Sequence, residues 1–461
     1  MPLDTSPEEF RRLAERVAQI ASEYLASLDR LPIAPRASGA ETERLFGLDP
    51  PESGMGEGVL DLLRRVVDHS RAQNGRFVGY VLGSGEPVAA TADLLASVLN
   101  QNVTAWRSAP SAVAIERALV AWLGRAIGCP GFTGSLTGGG SSANLMGLAM
   151  ARESRAPANE SGATPAAVYA SQEVHMSIPK AVALLGIGRN HLRMLPVDDA
   201  FRIRVDALER AVEEDERAGR RPLAVVASAG TVSTGSIDPL EEIAEVARRH
   251  RMWLHVDGAY GGIAAMVAPE KFAGLSRADS VSIDGHKWLY QPVDCGCLLF
   301  RDPEQARRAF AHTGEYARSL TEDPIEGFAF FEESAELSRR FRALKLWASL
   351  HYHGVSAYRE AMRRDLAHAQ LLASKVRREP RLELLAPVSL SAVCFRVHFP
   401  EQADARNGEV LRRVNGRGRV YLSNAVIRGA FALRACFVNH RTTEADVDAI
   451  VEEVLACAGA A

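Results

Sequence analysis

Lysine is scarce in this chain. Of its 54 basic residues only five are lysines (Lys180, Lys271, Lys287, Lys345 and Lys375), which leaves 49 arginines. Chemistry that needs an amine therefore has five side chains to choose from. Cysteine is sparse as well, with six in 461 residues and only Cys295 and Cys297 close together. That pattern suits reduced thiols and argues against a disulfide framework or a zinc site. His351 and His353 fall on opposite sides of any regular element with no further ligand nearby, so no metal centre is expected. No run approaches the ~18 apolar residues needed to span a bilayer. Glu8, Glu9, Arg11 and Arg12 stand where a signal peptide would carry its apolar core. Excess charge of one sign is missing too, because 57 acidic residues nearly cancel the 54 basic ones and leave −3. Nucleic acid and membranes are therefore not expected as partners, and a cytoplasmic location is.

What is present fits a soluble globular protein. A hydrophobic fraction of 47% and a charged fraction of 24% are ordinary, and the length allows a large α/β unit with extensions. Ser6, Pro7 and Glu9 predict a capped helix start. Phe10, Leu13, Val17, Ile20, Tyr24 and Leu28 then form one apolar stripe that needs a surface to cover it. Prolines, glycines and charges from Leu31 to Gly58 read as a linker, followed by a helical pattern over 59–73. Strands are predicted at Ala167–Ala170, Leu223–Ser228, Trp253–Val256, Ser280–Ile283 and Gly296–Phe300, with helices at 178–185, 205–217 and 239–249 between them. Such alternation implies βαβ units and a mostly parallel sheet. Strands at 392–398 and 432–438 and a last helix from Thr443 predict a smaller α+β module. The expected division is an N-terminal helical segment and linker over 1–75, a large domain over 76–350 and a small domain over 351–461.

Three segments carry chemistry. In LTGGGSSANLMGLAMARE (136–153), glycines and serines run directly into a helix, where backbone N–H groups and the helix dipole suit a phosphate. The spacing matches neither the Walker A lysine pattern nor the dinucleotide fingerprint, so ATP and NAD are poor fits. In WLHVDGAYGG (253–262), Asp257 ends an apolar strand, where an acid is expensive to bury without a cation. In SVSIDGHKWLY (280–290), His286 and Lys287 follow the next strand end. Carboxyl ends of parallel strands line the usual ligand crevice of an open sheet, so the three segments can converge there.

Pyridoxal 5'-phosphate (PLP) asks for this combination: a lysine for the Schiff base, an acid to keep the pyridine nitrogen protonated, and a phosphate cradle. A carboxylate about 4 Å from that nitrogen is worth roughly 4 kcal/mol at an effective dielectric of 20, on the order of a thousandfold in rate.

In order and spacing these segments resemble the group II PLP-dependent amino-acid decarboxylases of fold type I, from about Phe77 to Trp347. SQEVHMSIPKAVALLGIG (171–188), ASAGTVSTGSIDPL (227–240) and RRFRALKLW (339–347) extend the likeness. The resemblance implies an α/β fold with a PLP-binding large domain, decarboxylation of an L-amino acid (aromatic or bulky apolar) to its amine, and a homodimer. It makes Lys287 the Schiff-base lysine, Asp257 the pyridinium partner and His175 the residue stacked on the ring near the substrate carboxylate. Gly140, Ser141 and His286 would hold the phosphate, with Thr231 near the cofactor and Ala259 under the ring. Tyr80, Leu82 and Trp106 would line the substrate pocket, Trp106 by reaching into the partner subunit. Gly79, Gly83 and Arg107 differ from the pockets of the family.

One departure matters for the product. The family's mobile loop carries a tyrosine that returns a proton after carbon dioxide leaves. Counted back without gaps from Arg340 and Phe341, its place falls on Phe330. A phenylalanine there is similar to the aldehyde synthases, which consume oxygen and release ammonia; Tyr316 upstream is the other candidate for the tyrosine.

Overall fold

The structure is a computed structural model that describes residues 3–34, 37–312, 321 and 323–459. Its centre is a seven-stranded sheet made of β1 (Thr133–Thr137), β2 (Ala166–Ser171), β3 (Leu192–Leu195), β4 (Arg221–Ser228), β5 (Trp253–Asp257), β6 (Ser280–Asp284) and β7 (Gly296–Phe300). The spatial order is β1-β7-β6-β5-β4-β2-β3. All neighbours pair in parallel except β7, which runs antiparallel to both β1 and β6. In β4, Leu223 to Val226 are fully buried. A central strand covered on both faces needs such a continuous apolar run. The expected parallel α/β domain is therefore present. Sequence reading missed β1 and β3 and did not give β7 its direction.

A second sheet, ordered β10-β11-β9-β8, forms the C-terminal module. It comprises β8 (Leu382–Leu384), β9 (Ala392–Val397), β10 (Ser423–Ile427) and β11 (Ala430–Cys436), all antiparallel. The helices Val355–Arg378, Ala403–Arg417 and Glu444–Ala458 flank it. Val78 lies in the core of this module, and its N–H donates to the Tyr421 carbonyl. The first residues of the expected large domain are thus stitched into the small one.

The N-terminal helix runs Pro7–Ser27, with the Ser6 hydroxyl accepting the Glu9 N–H as the capping pattern predicts. Of its stripe, Ile20 and Leu28 are buried while Phe10 and Val17 remain exposed. The segment read as linker holds a short helix, Gly39–Phe46, closed by a Ser38/Glu41 capping box. Its few apolar residues gave no periodic signal. No helix among the described residues is long and apolar enough to cross a membrane.

Candidate active site

The register of the large sheet sets Ser228 opposite Asp257 and Asp257 opposite Ser282, so the carboxyl ends of β4, β5 and β6 lie side by side. Asp257 is buried there. Its Oδ2 accepts the Asn144 amide N–H at 2.9 Å, and its Oδ1 accepts the Ala259 N–H and the Ser282 hydroxyl, each at 3.2 Å. Both oxygens meet donors only, as a carboxylate requires.

Lys287 sits in the one-turn helix Gly285–Trp288 that follows β6. Trp288 is fully buried and stacks on Tyr260 with ring centroids 6.2 Å apart, which holds this turn against the core. Its neighbour Lys287 faces the other way. The ammonium lies 3.0 Å from Asp284 Oδ2, and His286 Nε2 stands 3.4 Å from the same oxygen. Asp284 Oδ1 is buried without a hydrogen-bond partner.

Across from them, the Gly140–Arg155 helix points its N-terminus at the strand ends. A Cβ at Gly140 would come within 2.6 Å of the Ala259 Cβ and 3.1 Å of Asp284 Oδ2. Only glycine permits that approach, and the space it keeps is the start of an anion cradle.

These groups enclose one cavity of about 290 Å³. Gly140, Ser141, His175, Thr231, Asp257, Ala259, His286 and Lys287 all line it, as the sequence led us to expect. Burial lowers the pKa of His175 against the opposing pull of Asp257, which favours the neutral ring. Burial likewise lowers that of His286, with Asp284 opposing. The Thr231 hydroxyl belongs to a chain through Thr234 and Ser236 that ends on the Ala200 carbonyl, so its proton points inward. Asn144 and Asp284 also line the cavity and were missed from sequence. A polar residue inside an apolar run was the available signal for both.

Four expected residues stand elsewhere in this chain. Tyr80 is half exposed and pairs with the Tyr421 hydroxyl at 3.0 Å, away from the cavity lining. Leu82 is partly buried and does not line it either. Trp106 borders a different cavity of about 410 Å³ with Arg117, Phe132 and Ile325. Phe330 requires a correction. Its ring has 0% exposure, lies edge-on to Phe328 and is covered by the Arg339 guanidinium 4.2 Å from its centroid. A side chain enclosed by its own subunit lines neither its own site nor a partner's, so the substitution read there says nothing about the product. Tyr316 lies outside the described residues.

The other lysines are not at the site. Lys345 is fully buried against Asp93 at 2.9 Å, Lys271 donates to the Ser389 carbonyl, Lys375 pairs with Asp448, and Lys180 is exposed.

Comparison with known proteins agrees with this geometry. The family model described as the pyridoxal-dependent decarboxylase conserved domain matches residues 57–398. An aromatic-L-amino-acid decarboxylase of Bacillus atrophaeus is 32% identical, over 99% of this chain and 97% of that one. A phenylacetaldehyde synthase of Petunia hybrida is 30% identical, over 93% and 90% respectively. Among solved structures, that of Oryza sativa TDC with PLP and tryptamine superposes with a TM-score of 0.92 at 28% identity, covering 100% of this chain and 99% of that one.

Proposed function

Because the chain belongs to the pyridoxal-dependent decarboxylase family, an enzyme family of PLP-dependent carboxy-lyases, we propose that it converts an aromatic L-amino acid to its amine and carbon dioxide. The observation that carries this reading is the single cavity joining Lys287, Asp257, His175 and the glycine-rich helix start. The residues fit PLP: an amine on Lys287, a buried acid at Asp257 ringed by donors, and a cradle that a Cβ at Gly140 would fill.

When bound, PLP supplies an aldehyde that condenses with amines and a protonated ring that takes up the electrons of the breaking bond. The protein does the rest. Lys287 offers the amine, held in place until then by Asp284 at 3.0 Å. Asp257, fixed by three donors, keeps a negative charge at the ring-nitrogen end of the site. Gly140, Ser141 and the helix dipole would hold the phosphate, with His286 lining the same cavity. His175, neutral through burial, lines the same cavity and would cover the ring beside the substrate carboxylate without drawing it into an ion pair. Val232 and Val293, exposed at the rim, suit an uncharged substrate side chain.

We assign the amine as product because the argument for an aldehyde rested on Phe330, which is core. Tyr316 then takes the part of the proton-returning tyrosine. A homodimer completes the reading: Leu94, Leu95, Val98 and Leu99 of the Pro87–Leu99 helix are each about half exposed, alongside Phe10 and Val17 of the N-terminal helix. An exposed apolar helix face of this kind suits a subunit interface.

The test is a screen of carbon dioxide release across the twenty amino acids, with amine, peroxide and ammonia followed in the same reactions. Amine equal to carbon dioxide for an aromatic substrate is expected. Peroxide and ammonia in its place would overturn the product, and no carbon dioxide from any substrate would overturn the activity.

A further inference from the structure

Behind the cavity runs a chain of buried polar groups that sequence reading did not use. The Trp253 indole donates to Ser280 Oγ at 2.8 Å, and Ser280 Oγ meets His255 Nδ1 at 2.8 Å. His255 Nε2 meets Asn144 Oδ1 at 2.9 Å. The Asn144 amide nitrogen is 2.9 Å from both Asp257 Oδ2 and Ser177 Oγ. Ser177 Oγ in turn lies 2.8 Å from His175 Nδ1, which also receives the Ser177 backbone N–H at 3.2 Å. His255, Asn144 and Ser280 are all at most 1% exposed.

Three members have no choice of direction, and they settle the others. An indole N–H only donates, a carboxylate only accepts, and a backbone N–H only donates. Asp257 therefore turns the amide nitrogen of Asn144 toward itself, which leaves Oδ1 facing His255. That oxygen accepts, so His255 carries its proton on Nε2, and its bare Nδ1 takes the Ser280 hydroxyl proton. Burial that lowers the His255 pKa to about 4 keeps the ring neutral and the assignment single. On the other branch, Ser177 Oγ accepts from Asn144 and so donates to His175 Nδ1.

Packing makes the arrangement rigid. Asn144 and Gly147 lie one turn apart on the same helix face. A Cβ at Gly147 would sit 2.6 Å from both Cε1 and Nδ1 of His255. The helix is thereby seated directly on the imidazole, with Asn144 in reach of its far nitrogen.

We propose that Asn144 and His255 are positioning residues that hold Asp257 in place and fix His175 as the tautomer with its proton on Nε2. This rests on the proposed roles of Asp257 and His175 toward PLP and adds the device that sets their states. It leaves His175 with its Nδ1 lone pair turned into the network and a single N–H donor on the ring nitrogen that the network does not use.

The test reads the tautomer directly. The full chain with 15N-labelled histidine, prepared without PLP, is observed by NMR, the His175 signal being identified by its loss in His175→Gln. In the wild type Nε2 carries the proton and Nδ1 is bare. In Asn144→Asp the amide donor is gone, the Ser177 hydroxyl turns to the new carboxylate, and the proton divides between the two nitrogens. Ser177→Ala removes the hydroxyl and leaves the backbone N–H facing Nδ1, so it keeps the Nε2–H tautomer and traces the change in Asn144→Asp to the turned hydroxyl. PLP affinity provides a second readout. His255→Leu weakens it at least roughly tenfold, the scale of one hydrogen bond to a charged group. His255→Gln, whose side-chain amide can still donate to Asn144, stays within about twofold of the wild type on that scale. An unchanged Nε2–H tautomer in a folded Asn144→Asp, or a folded His255→Leu with wild-type affinity, overturns the proposal. A wild-type chain that binds no PLP would overturn the functional reading instead, while the tautomer still decides this one.

Discussion

A tyrosine placed at position 330 separates a core residue from a catalytic-loop residue. The change Phe330→Tyr adds one oxygen to a ring that has 0% exposure. Phe328 meets that ring edge-on at 4.9 Å, and Arg339 covers its face at 4.2 Å. Arg339 cannot move aside at low cost. Its guanidinium is fully buried, pairs with buried Glu116, and donates to the Val103 and Leu136 carbonyls at 2.8 and 2.9 Å. A hydroxyl buried there without a partner costs about 1–3 kcal/mol, and forcing extra volume into a packed core adds about 1–3 kcal/mol. Even the smallest of these values lowers the ratio of folded to unfolded chain about fivefold. The assay pairs chemical denaturation with product analysis of amine, carbon dioxide, peroxide and ammonia. Lower stability with an unchanged product ratio is expected. The contrasting variant, Tyr316→Phe, is expected to move product from amine toward aldehyde. A Phe330→Tyr protein of wild-type stability whose products shift would refute the reasoning.

Other substitutions probe the site and the assembly. Borohydride treatment of the PLP-loaded protein followed by peptide mapping should label Lys287 and none of the other four lysines, and Lys287→Ala should abolish both label and turnover; label on buried Lys345 would contradict the site. Val98→Glu places a charge on a residue 55% exposed in the isolated chain, so sedimentation should show monomers with lost activity, and an active dimer would remove that helix from the interface. Asp365 is fully buried, accepts the Tyr290 hydroxyl at 2.9 Å, and has its pKa raised by burial to about 7. Between the unfolded carboxylate value and pH 7 the folded state binds the extra proton, so this group's contribution to stability falls as pH rises through that window and is constant above it. Asp365→Asn should therefore gain on the wild type as pH rises from about 4 to 7 and hold that gain above it, by an amount on the order of a few kcal/mol, and parallel pH profiles in chemical denaturation would show the group is not buried in this way.

What could be seen in the sequence follows from what burial does to composition. Asp257 and Lys287 were visible because each breaks an apolar strand at its end, and Gly140 because glycines precede an apolar helix. The strand β1, TGSLT, has one large apolar residue and left no trace, although it is buried at four of five positions. The direction of β7 was invisible, since GCLLF reads the same whether the strand pairs parallel or antiparallel. Asn144 and His255 were passed over even though each is a polar group inside an apolar run, and such a group is costly to bury unless it is bonded. That cost was a usable signal, and it pointed to both ends of the same hydrogen bond. Phe330 failed for the converse reason. Counting residues back from Arg340 assumes a fixed loop length, whereas FAFF (328–331) is an apolar cluster of the kind a core claims. Arg339, one position before the counting anchor, is the residue that closes over it. Composition at the site thus outweighs spacing from an anchor wherever the intervening segment is a loop, because burial acts on the residues themselves while a loop accepts changes in length at little cost.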